Sequence, residues 1–396
     1  MNPKGAYAER TEKLYESDGL LFEFDARVIA AEPCDSLFKV ELDRTAFFPE
    51  GGGQDCDVGT LGDGQVSFVH ISEGRIWHLV DRSFSVGDSV HGRINADVRL
   101  RRMQNHGAEH IISGLIFSLY GISNAGFHMS EGEFTIDTAA PLDREMLRRV
   151  ELLANKIIRE DRQILCYYPE ENDLAALEYR SKTEISGRVR IVEIEDCDRC
   201  ACCAPHLEST GQIGLVHIKN YIKYKKGVRL TVAAGEDALD NYLLLSEQAG
   251  EIARLYSVQP EDIYDAVLKR EAAFSEKLGE LRELREKLLA LRLDTLSETD
   301  GNICVFEDGC DTGLLRKLVN QGIALAGGAF AAFSDNGRGG YNYVIGVKEG
   351  SLSTLAAELR SALGGKGGGN GSMITGFVDA DREAIEKFFE SFNLSN

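Results

Sequence analysis

Short stretches of alternating apolar and polar residues fill the chain from about residue 20 to 95. Phe22, Phe24 and Ala26 alternate with charged residues, and a similar alternation begins at Phe38. A period of two predicts strands with one buried face. Glycine and aspartate separate these stretches. The pattern therefore predicts a β-rich N-terminal domain over residues 1–97, folded as a small barrel or compact sheet.

Helices and strands mix between residues 98 and 235. Apolar residues recur at helical spacing through 101–120, and Met146, Leu147 and Val150 lie on one face of a second helix over 145–160. A strand is predicted near Val189–Ile194. This mixture predicts a second, α+β domain over residues 98–235, and α+β is the fold class expected for the chain as a whole.

A leucine stripe marks residues 236–298 as helical. Phe274, Leu278 and Leu281 begin a series at intervals of three and four that continues to Leu291. Dense glutamate, lysine and arginine around it predict a coiled-coil-like helical hairpin or spacer. A stripe this short more often packs within its own chain, and a homodimer through the C-terminal half is the alternative.

Glycine-rich segments characterise residues 299–396, which we predict to be a last α/β domain. The sequence GGKGGGNG at 364–371 lacks the Lys-Ser or Lys-Thr that a Walker loop carries at the required offset. We interpret it as a flexible turn. The alternative is a place where a nucleic-acid backbone approaches closely.

Cysteine usage indicates the compartment. The chain has nine cysteines, and four of them are crowded together at Cys197, Cys200, Cys202 and Cys203. Neighbours this close cannot all form unstrained disulfides with one another. The first 20 residues lack the apolar core of a signal peptide, and no apolar run reaches about 18 residues. We expect a reducing cytoplasm, free or metal-bound thiols, and no membrane partner.

The formal net charge of −20 argues against non-specific wrapping of duplex DNA, because phosphate neutralisation dominates such binding. Local patches still permit a nucleic-acid partner. One basic stretch over 219–229 contains two tyrosines, and its cations are Lys219, Lys223, Lys225, Lys226 and Arg229. It is either a solvated hairpin face or a groove for a phosphate backbone with aromatic rings for stacking.

Two pairs of metal-ligand residues have the same spacing. His106 and His110 are four apart at the start of a helical run, so their imidazoles reach one ion. Cys202 and His206 repeat that spacing with a thiolate and an imidazole. Together they supply the four ligands of a tetrahedral site, which predicts one Zn²⁺ per chain. Competing or additional ligands are Cys197, Cys200, Cys203 and His128.

The same residues allow other functional classes. His106 to His110 reads H-x-x-E-H, the inverted zinc-peptidase signature, in which Glu109 would be the general base of a peptidase or esterase. That class needs a distant carboxylate as third ligand, whereas this chain offers Cys202 and His206. A non-catalytic tRNA-binding module with structural zinc is the remaining alternative.

A third motif, TAFFPEGGGQ at 45–54, follows a predicted strand. Its glycines let backbone amides approach a ligand closely, and Thr45 and Gln54 offer side-chain hydrogen bonds. The alternative interpretation is a tight loop between strands.

TAFFPEGGGQ, NHGAEH and CCAPH with STGQIG behind it, in this order, resemble the editing domain of alanyl-tRNA synthetase and its free-standing relatives, the AlaX proteins. The match runs from about residue 20 to 235. The remaining helical and glycine-rich parts resemble the C-terminal, DHH-associated domain of the synthetase. This extent indicates the long form of AlaX without an aminoacylation domain. The sequence departs from the usual family pattern at two places. Cys203-Ala204-Pro205 stands where Gly-Gly-Thr is usual, and Val98 stands before Arg99 where a Trp-Glu-Arg-Arg run is common.

The resemblance implies zinc-dependent hydrolysis of the ester in mischarged Ser-tRNA(Ala), and also of Gly-tRNA(Ala). It makes His106, His110, Cys202 and His206 the zinc ligands. A synthetase cannot strongly reject serine through one added hydroxyl, so a second sieve is needed. The editing pocket should reward that hydroxyl, and Thr45 and Gln54 are the residues that we expect to do so.

Overall fold

The computed structural model describes residues 11–181 and 188–392. The chain forms two compact units, Met1–Glu251 and Ile252–Asn396. Helices and strands alternate irregularly through both, so the predicted α+β class is confirmed. Among the described residues, every helix is too short or too polar to cross a membrane.

The first unit begins with a β-barrel. The elements before the first long helix are β1 (Glu12–Lys13), α1 (Leu14–Ser17), β2 (Glu23–Cys34), β3 (Leu37–Leu42), β4 (Arg44–Thr45), β5 (Gly59–Leu61), β6 (Gly64–Ser72), β7 (Arg75–Val80) and β8 (Ser89–Ile94). Six of these strands close in the order β2-β3-β7-β6-β5-β8. Phe24, Ala26 and Val28 point inward from alternate positions of β2, and closure leaves no unpaired edge.

A long helix, α2 (Ala96–Tyr120), follows the barrel. The Asn95 side chain caps its first turn by accepting from the Val98 amide, and Gly121 ends it with a φ of +66°. The segment from Asn105 to Ile116 is buried on all sides, because α2 packs against a helix, a sheet and a short strand. Polar residues in this segment therefore need partners inside the protein.

The rest of the first unit surrounds α2. Its elements are β9 (Asn124–Ser130), β10 (Glu133–Thr138), α3 (Arg144–Glu160), β11 (Ile164–Tyr167), α4 (Glu171–Ala176), β12 (Ile191–Ile194), β13 (Asp198–Ala201), β14 (Val216–Tyr224) and β15 (Gly227–Ala234). They form one sheet of order β14-β15-β10-β9 and another of order β11-β12-β13. The second sheet delivers the cysteine-rich segment to the face of α2.

Two helices follow, α5 (Gly235–Tyr256), which contains the boundary between the units, and α6 (Ile263–Asp294). On α6 the leucine stripe is exposed: Leu278, Leu284 and Leu288 have 51%, 62% and 62% of their surface accessible. Leu289, one position on, is buried in the core of the second unit. One face of α6 thus packs on its own domain and the neighbouring apolar face stays open.

The second unit contains a mixed five-stranded sheet of order β16-β17-β18-β20-β19. Its elements after α6 are β16 (Ile303–Phe306), α7 (Thr312–Gly322), β17 (Phe330–Asp335), β18 (Tyr341–Gly346), α8 (Ser353–Leu363), β19 (Lys366–Asn370), β20 (Met373–Val378) and α9 (Arg382–Ser391). Phe330 and Phe333 of β17 face opposite cores, because helices cover both sides of the sheet.

The prediction of a flexible turn at GGKGGGNG is wrong for most of the segment, since only Gly371 lies in a turn. Lys366–Asn370 form strand β19, paired antiparallel with β20. A Cβ atom on Gly367 would overlap the Tyr343 hydroxyl, and one on Gly369 would overlap the Met373 carbonyl oxygen. These glycines permit a close approach within a strand rather than a turn.

Candidate metal centre

Helix α2 carries the first ligand pair into the interior of the protein. His106 and His110 are each 2% exposed, and their rings stack with centroids 5.2 Å apart and 8° between planes. A spacing of four residues places both side chains on one helix face. Burial of two imidazoles in parallel requires partners for all four ring nitrogens.

The second pair lies in the segment after β13. The Cys202 Sγ atom is 3.3 Å from His206 Nε2 and 3.5 Å from His106 Nε2. One nitrogen or sulfur atom from each of His106, His110, Cys202 and His206 lies within 4.8 Å of the others. The structure therefore brings together the four residues that the spacing had paired.

This cluster has the geometry and donor set of a zinc site. Tetrahedral coordination with bonds of about 2.0–2.3 Å puts ligand atoms roughly 3.3–3.8 Å apart, which matches the Cys202 contacts. His110 Nε2 is buried without a hydrogen-bond partner among the described residues. A metal ion would satisfy this orphaned nitrogen, which lies close to a thiol and two imidazoles.

A second layer of residues orients the first imidazoles. Gln54 Oε1 lies 2.7 Å from His106 Nδ1, and Asp198 Oδ2 lies 2.8 Å from His110 Nδ1. Arg180 donates to both oxygens of Asp198 at 2.6 and 2.7 Å. Acceptors on both Nδ1 atoms leave both Nε2 atoms for a metal. Sequence reasoning missed Asp198 and Arg180, since no motif marks a partner so distant along the chain.

The electrostatics of the cluster favour a thiolate. Burial alone would raise the pKa of Cys202, but the neighbouring His106 and His206 outweigh it and hold this pKa well below its usual value. Burial lowers the pKa of His206 to about 3, so that imidazole is neutral. Burial alone would lower the pKa of His110, but the hydrogen bond to Asp198 and the nearby cysteines outweigh burial and raise this pKa. A metal ion that binds Nε2 would have to displace the proton on that atom.

The neighbouring cysteines have different environments. Cys200 forms a second group with His110 and Asp198, whose candidate ligand atoms also lie within 4.8 Å of one another. Burial raises the pKa of Cys197 to about 12, and burial also raises that of Cys203. Both are therefore thiols rather than thiolates, which makes Cys202 the better ligand of the three.

Thr45 is placed inside the barrel and is fully buried. Its hydroxyl lies 2.9 Å from His78 Nε2 and accepts from the Phe47 amide at 3.1 Å. His78 Nδ1 lies 3.0 Å from the Val40 carbonyl oxygen, which can only accept, and burial lowers the pKa of His78 to about 4. His78 is thus neutral with an accepting Nε2, and Thr45 donates to it. The hydroxyl keeps one lone pair for a further donor.

Gln54, by contrast, contacts the cluster directly. Its side chain is 1% exposed, and its Nε2 atom is buried without a partner among the described residues. The TAFFPEGGGQ segment is held against α2 by a buried ion pair, in which Arg99 contacts Asp57 and donates to the Ala46 carbonyl at 2.6 Å. The segment is therefore a fixed wall beside the metal cluster.

Glu109, the residue required by the peptidase alternative, is only 1% exposed. Its carboxylate accepts from the Ser113 hydroxyl at 2.9 Å and from the Asn124 amide. A general base must be accessible to the reacting water molecule, and the burial of Glu109 opposes that role. The structure thus argues against the peptidase interpretation.

The basic stretch forms the β14–β15 hairpin, with Lys225 at its turn. Lys219 pairs with Glu133 at 2.7 Å, and Arg229 pairs with Asp137 at 2.6 Å. The other three cations, Lys223, Lys225 and Lys226, are exposed. The hairpin has a solvated basic tip rather than five free charges.

Comparisons with known proteins show which proteins the chain resembles. The chain is 26% identical to the alanyl-tRNA editing protein AlaX-L of Pyrococcus horikoshii, over 94% of this chain and 96% of that protein. The sequence profile described as "Threonyl and Alanyl tRNA synthetase second additional domain" matches residues 189–230, which include Cys202 and His206. The chain is therefore related to the AlaX-type proteins. Its relation to alanyl-tRNA synthetase, expected from the motifs, is confirmed.

The chain is also similar to part of larger proteins. It is 30% identical to the alanine–tRNA ligases of Ignicoccus hospitalis and Thermococcus kodakarensis, over 95% and 96% of this chain. It spans 42% and 43% of their lengths. The C-Ala domain of Aquifex aeolicus alanyl-tRNA synthetase aligns with 24% of this chain at 21% identity and a TM-score of 0.21.

Proposed function

We propose that this protein hydrolyses the ester of tRNA(Ala) carrying a wrong amino acid, Ser-tRNA(Ala) first and Gly-tRNA(Ala) second. The observation that carries the proposal is the buried His106, His110, Cys202 and His206 cluster beside the wall that contains Gln54. The editing activity named for the Pyrococcus relative, which aligns over nearly its whole length, supports it.

The four cluster residues would hold one zinc ion per chain. When bound, zinc supplies positive charge that polarises an ester carbonyl or orients the amino group of the substrate. Asp198 holds the proton of His110 Nδ1, and Gln54 Oε1 accepts the proton of His106 Nδ1. These bonds fix the tautomers in which both Nε2 atoms can coordinate.

Discrimination between serine and alanine is assigned to Thr45 and Gln54. Gln54 offers an unpaired N–H from a side chain that is already held in place, so donation to a substrate oxygen costs little entropy. Thr45 donates to His78 and can therefore only accept, which suits the hydroxyl proton of serine. Alanine lacks that proton, so an alanyl ester gains nothing at Thr45.

The β14–β15 hairpin is the proposed contact to the tRNA backbone. Lys223, Lys225 and Lys226 offer exposed cations, while Lys219 and Arg229 are paired with acids and position the hairpin. Three cations on one tip give affinity without sequence readout. Selection of tRNA(Ala) then rests on other parts of the chain.

We also propose a cytoplasmic location and the division into a β-rich domain (1–97), a zinc editing domain (98–235), a helical spacer (236–298) and a C-terminal domain (299–396).

A homodimer through the C-terminal half is supported by the exposed leucine face of α6, at Leu278, Leu281, Leu284 and Leu288. Sedimentation equilibrium tests it: replacement of Leu284 and Leu288 by lysine should yield a monomer, and an unchanged mass would exclude this interface.

One set of assays separates the functional classes. Purified protein is offered Ser-tRNA(Ala), Ala-tRNA(Ala), serine ethyl ester and a peptide. Editing predicts rapid hydrolysis of Ser-tRNA(Ala), slow hydrolysis of serine ethyl ester, and none of Ala-tRNA(Ala) or the peptide. A binding module would hydrolyse none, and a peptidase would cleave the peptide.

Zinc analysis of Cys202→Ala, with Cys203→Ala as the control, tests whether Cys202 is a zinc ligand. Retention of full zinc in Cys202→Ala would transfer the role of thiolate ligand to Cys200.

A further inference from the structure

The imidazole of His206 is held differently from the other two in the metal cluster. The Nδ1 atoms of His106 and His110 lie 2.7 and 2.8 Å from side-chain oxygens. The Nδ1 atom of His206 is buried and has no hydrogen-bond partner among the residues that the structure describes. Metal-binding histidines are normally oriented through this second nitrogen. The position of His206 therefore depends on how the backbone of its loop is held.

A close backbone contact holds that loop from one side. A Cβ atom on Gly19 would lie 2.4 Å from the His206 carbonyl oxygen and 3.1 Å from the His206 backbone nitrogen. Only glycine permits the two segments to approach this closely. The Gly19 carbonyl oxygen is itself fixed, because it accepts from Arg99 of α2 at 2.8 Å. His206 is thus packed against a segment that is anchored to the helix carrying the other two histidines.

Gly19 ends a segment, residues 11–19, which we name the N-terminal clasp. The clasp is attached at its start to the barrel: Thr11 Oγ1 donates to the Leu42 carbonyl oxygen at 2.7 Å, and β1 pairs in parallel with β4 at the beginning of the TAFFPEGGGQ motif. Tyr15 is 2% exposed, and its ring meets Phe48 edge-on with centroids 5.4 Å apart. The clasp therefore joins the TAFFPEGGGQ motif to His206.

Arg190, which directly precedes β12, ties the clasp to the cysteine-rich loop. Its side chain donates to the Glu16 carbonyl oxygen through Nη2, at 2.9 Å. Through Nη1 it donates to the carbonyl oxygens of Cys202 and Ala204, at 3.1 and 2.9 Å. The Arg190 carbonyl oxygen accepts from the Cys202 amide at 3.0 Å. A planar guanidinium presents its donors in a fixed fork, so this one buried residue fixes the clasp and the loop relative to each other.

Apolar packing acts in the same direction. Ala204 is 3% exposed and belongs to the apolar core of the barrel, which also contains Tyr15 and Phe48. Cys202 packs against that core and against the core around α2. The loop between the two ligands Cys202 and His206 therefore lies between two cores, and the clasp covers it at Gly19.

We propose that the N-terminal clasp and Arg190 position the metal site, because they hold the 202–206 loop so that Cys202 Sγ and His206 Nε2 face one ion. The inference rests on the zinc site of the proposed function. It gives residues 11–19 a role that none of the three motifs indicates. Ligand side chains must be held within about 0.5 Å and 10–20° of their working geometry. A small shift of the loop should therefore weaken metal binding before it unfolds the protein.

Zinc affinity, measured on the full chain by competition with a chromogenic chelator, tests the proposal without any hydrolysis assay. Gly19→Ala and Arg190→Met should each raise the zinc dissociation constant about 10- to 100-fold, the usual effect of losing an outer partner of a metal ligand. Arg190→Lys keeps the charge but not the planar fork, so its loss should be smaller.

Gly340→Ala is the matched control, since its Cβ atom would lie 2.2 Å from the Val378 carbonyl oxygen in the second unit. Both glycine variants should lower the melting temperature, whereas only Gly19→Ala should weaken zinc binding. Zinc affinity within about threefold of the wild type in Gly19→Ala and Arg190→Met would overturn the proposal. An equal loss in Gly340→Ala would do so as well. If Arg190→Met does not fold, Gly19→Ala and Arg190→Lys decide on the same measurement.

Amide hydrogen exchange of the metal-free protein separates the clasp from the zinc site itself. Peptides that cover residues 200–207 should exchange faster in Gly19→Ala and Arg190→Lys than in the wild type, and Gly340→Ala should leave them unchanged. Unchanged exchange in both of the first two variants would show that the clasp does not hold the loop. If the wild type binds no zinc, the zinc site of the proposed function fails, while the exchange rates still decide whether the clasp positions this loop.

Discussion

The Asp198–His110 bond gives a prediction that does not depend on catalysis. Asp198 accepts from His110 Nδ1 at 2.8 Å, is 2% exposed at its side chain, and is itself held by Arg180 at 2.6 and 2.7 Å. Asp198→Asn retains the shape and one acceptor oxygen. It removes the charge that makes the imidazole a stronger ligand, and it leaves Arg180 without a counter-charge.

The expected loss follows from the role of such partners. Removing the carboxylate behind a metal-bound histidine typically weakens metal affinity about 10- to 100-fold. That range corresponds to about 1.4–2.7 kcal/mol of binding free energy. The zinc dissociation constant is measured by competition with a chromogenic chelator at constant pH, since metal binding releases protons.

A matched control is available on β10. Asp137 forms a similar two-bond pair with Arg229, at 2.6 and 2.8 Å, and is 6% exposed. Among the described residues its carboxylate is hydrogen-bonded to Arg229 and not to a cluster histidine. Asp137→Asn should bind zinc like the wild type. The reasoning is refuted if Asp198→Asn binds zinc within threefold of the wild type, or if Asp137→Asn weakens zinc binding as much.

Three further predictions concern specificity, pH and tRNA binding. Thr45→Val should slow Ser-tRNA(Ala) hydrolysis about 2- to 13-fold relative to Ala-tRNA(Ala), the equivalent of one hydrogen bond of about 0.5–1.5 kcal/mol; a lower melting temperature with an unchanged Ser-to-Ala ratio would limit Thr45 to holding His78. Folding lowers the pKa of His78 from about 6.5 to about 4. The contribution of neutral His78 to the free energy of unfolding is therefore complete above pH 6.5 and is lost as the pH falls towards 4. The stability advantage of the wild type over His78→Gln in urea unfolding should therefore shrink by about 3 kcal/mol from pH 7 to pH 4, and a constant advantage would contradict a neutral His78. Replacing Lys223, Lys225 and Lys226 by alanine should raise KM for Ser-tRNA(Ala) and reduce the log–log salt slope by about 2–3, without affecting serine ethyl ester; an unchanged slope would place the tRNA contact elsewhere.

Local periodicity determined much of what the sequence could show. The spacing of four residues in His106–His110 is a property of one helix turn, so the pair could be identified before any fold was known. The alternation around Phe24 likewise identified strands with one buried face. The order of the short motifs pointed to the AlaX-type relationship, which the aligned relatives confirm.

Tertiary structure decided the features that depend on residues far apart in the chain. Asp198 lies 88 positions from His110, and Gln54 lies 52 from His106, so no local pattern could pair them. The glycines of 364–371 looked like a turn because sequence alone does not show that Tyr343 lies against Gly367. Thr45 was identified as a hydrogen-bonding residue, but only the folded barrel shows that His78 already takes its proton. Periodicity records which face of an element is buried, whereas the partner on the other side is fixed only when separate elements pack together.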